Sequence, residues 1–125
     1  MNKKLIDHIK KIDFDSELYT HKEHKKNEDG SIIFDPLHYS SDISKLIHLL
    51  IHSEYQYPFN WMEWDKGEIY FENPGKIMNC SKENLKKLTT VILRQERFST
   101  GTIASAIDSG ILEKICKRIL EVEKN

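Results

Sequence analysis

Two cysteines, Cys80 and Cys116, supply all the thiol chemistry in 125 residues. They show no CxxC spacing, so neither a zinc ribbon nor a dithiol redox motif is present. Cys116 falls among apolar helical positions and reads as a small buried hydrophobe, with no disulfide expected. Long apolar runs are missing too: nothing approaches the ~20 residues needed to span a bilayer. The basic start, Met1-Asn2-Lys3-Lys4, lacks the apolar stretch of a signal peptide. A cytoplasmic protein with no membrane partner is expected. Neither sign of charge dominates, since 19 basic side chains face 20 acidic ones, and the molecule as a whole has no strong pull on nucleic acid. Gly-x-x-x-x-Gly-Lys-Ser/Thr is absent. Ser99, Thr100 and Ser105 have no Gly-x-Ser-x-Gly context, and neither cysteine sits beside a base. No catalytic residue and no cofactor are assigned.

What is present suits a helical protein. Hydrophobic residues make up 38% and charged residues 31%, and a chain of this length forms one domain with a core that needs no metal or disulfide. Charge is uneven along it. Lys3, Lys4, Lys10 and Lys11 open the chain. Acidic residues prevail from Asp13 to Asp42 and return in Glu54, Glu63, Asp65, Glu68 and Glu72. Lys82, Lys86, Lys87, Arg94 and Arg97 then outnumber Glu83 and Glu96. The simplest consequence is intramolecular pairing between the acidic and basic segments.

Periodicity predicts a helix over 2–12 from Leu5, Ile6, Ile9 and Ile12. Residues 13–41 are weakly patterned, with a polar surface loop over 21–30. A short strand at Ser31–Phe34 could pair with Glu17–Thr20 around Asp29-Gly30. From Ser41, taken as a cap, Ile43, Leu46, Ile47, Leu50 and Ile51 share one helix face. Asn60 followed by Glu63 outlines a capping box for a helix running to about Glu72, where Asn73-Pro74-Gly75 breaks it. Ser81 caps a helix with Leu85, Leu88, Val91 and Ile92 on its face. Thr100 or Thr102 starts a short helix that Gly110 closes. Ile111, Leu112, Ile115, Ile119 and Val122 mark the last one. The fold class is therefore mainly α: a compact bundle of five or six helices, with a small β-hairpin in the N-terminal third. Residues 1–40 are its weakly defined part and 41–123 its helical core.

Several motifs occur in a recognisable order: Phe59-Asn60-Trp61-Met62-Glu63-Trp64, then Leu85-Lys86-Lys87-Leu88-Thr89-Thr90, then Arg94-Gln95-Glu96-Arg97-Phe98-Ser99-Thr100-Gly101, and finally Gly110-Ile111-Leu112. Over about residues 39–120 the chain resembles the domain of unknown function 6508 family of bacterial and phage proteins. The resemblance implies aspartates where this chain has Asn60 and Glu96. It supports the fold and carries no activity, cofactor or partner.

Arg94 and Arg97 lie about 60° apart on a helix, away from its apolar stripe. With the turn at Ser99, Thr100 and Gly101 they form a candidate pocket for an anion or nucleotide ligand. The competing and favoured role is internal: pairing with Glu63, Asp65 or Glu68 and stacking on Trp61 or Trp64. The two tryptophans, three apart, read as packing before they read as a platform. His48 and His52 have the i, i+4 spacing of a two-imidazole metal site, yet no third ligand is evident, and His21 and His24 lie among lysines; no metal is assigned. Residues 102–120 outline a helix-turn-helix through Ala106 and Gly110, but Glu113 and Glu121 interrupt its basic face and disfavour nucleic acid. The expected function is a non-enzymatic module that binds a protein partner through Trp61, Trp64, Arg94, Arg97 and the Ser99–Gly101 turn. The alternatives are the anionic small-ligand pocket and helix-turn-helix DNA binding.

Overall fold

A face of apolar residues at helical spacing has to be covered, and the pattern above sets which faces meet. The computed structural model describes residues 2–20, 25–26, 32–33, 37–99 and 101–124. Six α-helices occur among these residues: α1 (Lys3–Lys11), α2 (Ser41–Ile51), α3 (Gly67–Glu72), α4 (Lys82–Phe98), α5 (Thr102–Asp108) and α6 (Ile111–Val122). Two 3-10 segments, Trp61–Glu63 and Pro74–Asn79, flank α3. One cluster of buried side chains joins all six helices: Leu5 and Ile9 from α1, Leu46 and Leu50 from α2, Tyr70 from α3, Leu85, Leu88 and Ile92 from α4, Ile103 from α5, and Ile115 and Ile119 from α6. α4 packs against α6, with these face residues buried. α6 packs as well on α1, α5 and the Pro74–Asn79 segment. It is a core helix.

Caps explain where the helices begin. Ser81 accepts the Asn84 N–H at 3.1 Å, as the sequence predicts. At α2 the cap is Ser40, not Ser41: its hydroxyl accepts the Ile43 N–H at 3.2 Å, while Ser41 is already helical. Two adjacent serines leave that choice to the incoming backbone. Gly110 separates α5 from α6 at φ +81°, a conformation that favours glycine. α1 and α2 are tied by a buried histidine. Only the acceptor role is open to the Asp42 carbonyl, so His8 Nε2 carries the proton it donates across 2.7 Å.

The stretch 60–72 is not one helix. Asn60 makes no capping hydrogen bond, the 3-10 turn ends at Trp64 in an extended conformation, and α3 starts only at Gly67. The aromatic packing of Trp64 outweighs helix continuity. Its ring meets Phe59 edge-on at 5.9 Å and stacks on Tyr70 at 6.3 Å. It also lies directly against Gly67, where a methyl group would come within 3.2 Å of it.

The N-terminal third contains a small antiparallel hairpin whose pairing differs from the expected one. β1 (Tyr19–Thr20) pairs with β4 (His38–Tyr39), and β2 (Lys25–Lys26) pairs with β3 (Ile32–Ile33). Both ladders keep one register, so Glu17–Thr20 does not pair with Ser31–Phe34. The expected turn at Asp29-Gly30, and most of the polar stretch 21–30, lie outside the described residues. No helix among the described residues is long and apolar enough to cross a membrane.

Candidate functional site

The segment from Glu54 to Trp61 runs along α4 from its first turns to its last, and each contact follows from a residue already named. Lys82 and Lys86 pair with Glu54 at 2.8 and 3.8 Å, the acidic-to-basic pairing that the charge pattern anticipates. Buried Thr90 accepts the Tyr57 N–H at 2.6 Å and reaches the Tyr55 carbonyl at 3.0 Å. The ammonium groups of Lys86 and Lys87 sit over the Tyr57 and Phe59 rings, 5.6 and 5.8 Å from their centres. Trp61 then stacks on Phe98 at 6.1 Å, with the ring planes 28° apart.

This arrangement leaves an apolar surface at the C-terminal half of α4. Two adjoining open grooves of about 460 Å³ each share Trp61, Met62 and Gln95. Trp64, Glu68, Phe71 and Val91 line the first, and Phe98, Ser99 and Thr102 line the second. Phe98 is 78% exposed and Met62 73% exposed, unusual values for side chains of that size. Trp61 and Ser99, named from the sequence, belong to this surface; Trp64 belongs to it on one edge and to the core on the other. Met62, Phe71, Gln95 and Phe98 are additions. Phe98 stood in a motif whose arginines drew the reading towards charge.

The arginines do not do what was favoured for them. Among the described residues neither Arg94 nor Arg97 forms an ion pair with Glu63, Asp65, Glu68 or any other carboxylate. Nor does either stack on Trp61 or Trp64. Arg94 is half-buried, Arg97 exposed, and neither lines either of these two grooves. Arg94 is one turn before Phe98, so the two positions share a face of α4.

The turn that was to offer an anion its N–H groups has an internal anion instead. Glu96 accepts the Ile103 N–H at 2.8 Å and the Gly101 N–H at 3.2 Å, so a carboxylate from the end of α4 caps the start of α5. Tyr39 of β4 donates its hydroxyl to the same carboxylate at 2.8 Å and accepts the Ala104 N–H at 3.2 Å. Burial, with the Glu96 hydrogen bond second, pushes the Tyr39 phenol well above its ordinary range. Gly101 permits the tight turn at φ +111°. Thr100 lies outside the described residues.

The two thiols are closed to chemistry. Burial pushes the Cys116 thiol up to about 12 and raises Cys80 as well, so neither offers a thiolate nucleophile at neutral pH. In α6, the second helix of the helix-turn-helix outline, Lys117 pairs with Glu113 at 3.4 Å. Arg118 donates from Nε and Nη2 to the Cys80 carbonyl and from Nη1 to Glu121. Its five buried residues hold α6 in the core.

No match is found among curated proteins or among solved structures. A family model does match, over residues 2–125, and so reaches beyond the expected 39–120 to take in the hairpin and α1. The motifs around Trp61 and Glu96 thus lie inside one family pattern that runs the length of the chain, which belongs to the family of unknown function DUF6508.

Proposed function

We propose that this protein is a non-enzymatic interaction module whose apolar surface at Trp61, Met62, Phe71 and Phe98 receives a segment of a protein partner. The observation that carries it is the exposure of Phe98 and Met62 beside a turn fixed by Glu96. Exposed large apolar groups cost solubility, and a clustered set rimmed by polar residues marks contact surfaces. The occupant we infer is an amphipathic segment with apolar anchors for the two grooves and a carboxylate-rich flank. Charge complementarity selects that flank: Arg94 and Arg97 are carried on the same last turns of α4 as Phe98, with no carboxylate partner among the described residues. An anion or nucleotide pocket is less favoured because Glu96 already takes the Gly101 and Ile103 N–H groups. DNA binding is less favoured because Arg118 and Lys117 are engaged and α6 does not protrude.

The test begins with proteins retained by the full chain from its source cells, each then purified and titrated against wild type, Phe98→Asp, Met62→Asp and Arg94→Glu. A genuine partner should lose about 2 kcal/mol or more with each apolar variant, the range of interface anchors. Arg94→Glu should slow association and weaken its salt dependence. Binding that ignores Phe98→Asp and Met62→Asp would overturn the proposal. Self-association abolished by the same variants would assign the surface to a second copy instead.

A further inference from the structure

Three groups of side chains outside the apolar surface have ligand chemistry. Glu54, Glu123 and Lys82 satisfy one another, and Glu96 is satisfied by backbone N–H groups and Tyr39. The imidazoles of His48 and His52 differ: both are exposed, and neither ring enters a hydrogen bond among the described residues. They lie one turn apart at the end of α2, ring centres 4.5 Å apart and planes tilted by 58°. An ion about 2.1 Å from one nitrogen of each ring would hold the ring centres roughly 4.5 Å apart when the two ligands are cis.

We propose that His48 and His52 form a surface chelate for a divalent ion from the copper, nickel and zinc end of the first transition series. Imidazole nitrogen suits these ions, whereas Mg2+ and Ca2+ require oxygen ligands that the pair does not provide. The first imidazole brings the ion beside the second, so the second bond forms at high effective concentration. No third protein ligand joins the pair among the described residues, and water fills the remaining positions. On the His52 side there is space for it in an open groove of about 620 Å³ bordered also by Asn2, Ser53 and Glu54. Lys3, Glu54 and Glu123 on that groove and Lys45 on α2 are the nearby charges, of both signs. The site therefore binds through nitrogen donation, which favours Cu2+ over Zn2+.

The full chain is titrated with Cu2+, Zn2+ and Mg2+, each alone, by calorimetry, with electron paramagnetic resonance on the copper form. Cu2+ should bind more tightly than Zn2+, and Mg2+ should not bind. His48→Ala and His52→Ala should each weaken Cu2+ binding at least about tenfold. The copper spectrum should change from two nitrogen ligands to one. Both side chains are exposed, so metal-free melting temperatures should not move. Wild-type affinity in the double alanine variant would place the ion at other histidines and overturn the proposal. Equal binding of Mg2+ would overturn it as well.

Discussion

Removing the Glu96 carboxylate would leave the Gly101 and Ile103 N–H groups and the Tyr39 hydroxyl without their acceptor. Losing a cap of this kind typically costs about 0.5–2 kcal/mol, and a stranded, half-buried hydroxyl adds to it. Glu96→Ala should therefore lower the unfolding free energy by about 1–3 kcal/mol in urea. Glu96→Gln keeps one acceptor oxygen and should lose less. Tyr39→Phe, which removes a donor to Glu96 and the acceptor of the Ala104 N–H but leaves the carboxylate, should cost about 1–2 kcal/mol. If Glu96→Ala loses under about 0.5 kcal/mol, other contacts fix the turn. The two caps differ in how far they could be read from the sequence. Ser81 acts on a residue three positions away, inside its own sequence window. Glu96 acts with Tyr39, which is 57 residues distant, and no local pattern joins them. Arg94 and Arg97 drew a functional reading because their spacing is local. The side chains that shape the surface do so across the fold.

At the scale of elements, helices with a sustained apolar face were legible. α1, α2, α4, α5 and α6 occur where their apolar faces predict them, because the 3.6-residue pattern decides which face is buried. Leu88 is fully buried where α4 enters the core, and Leu88→Ala should cost about 2–5 kcal/mol by denaturant titration. A loss below about 0.5 kcal/mol would mean that this face does not carry the core. The stretch 60–72 was not legible, for a physical reason. A helix through Asn60–Glu72 satisfies local propensity, but Trp64 gains more by lying between Phe59 and Tyr70 against Gly67, and that gain exists only in three dimensions. The hairpin is present as expected, but its pairing was not legible. Its strands are too short for alternation to fix a register, which Tyr39 helps to set through Glu96 and Tyr19 through Asp108 at 2.7 Å.

Across the whole molecule, one polar cluster joins parts of the chain that are far apart in sequence. Lys82 at the start of α4 holds Glu54 at 2.8 Å and Glu123, just past α6, at 3.1 Å. Asn2 donates to both carboxylates, and the fully buried Tyr55 donates its hydroxyl to Glu123 at 2.7 Å. The Lys82 hydrogen bond is the main reason that Glu54 titrates below the ordinary carboxylate range. Burial pushes Glu123 up, but the Tyr55 and Lys82 hydrogen bonds more than reverse it, and its net shift is also downward. Lys82 is raised by its hydrogen bonds to Glu54 and Glu123; Tyr55 is raised by burial and then by Glu123. Each shift fixes a sign. Carboxylates lowered in the folded state contribute fully above about pH 4.5, and that contribution is lost as pH falls through their folded values. A lysine and a tyrosine raised in the folded state contribute fully below about pH 10, and that contribution is lost as pH rises through theirs. Urea midpoints should form a plateau between these limits and fall on both sides. Because Glu54 and Lys82 are substantially exposed, the acid flank should be shallow and should weaken further with added salt. Lys82→Met separates the contributions: it removes the cation shared by both carboxylates, so the acid flank should flatten. The alkaline fall due to Tyr55 should persist, because that phenol is raised chiefly by burial. An acid flank of undiminished steepness in Lys82→Met would mean that carboxylates outside this cluster set it.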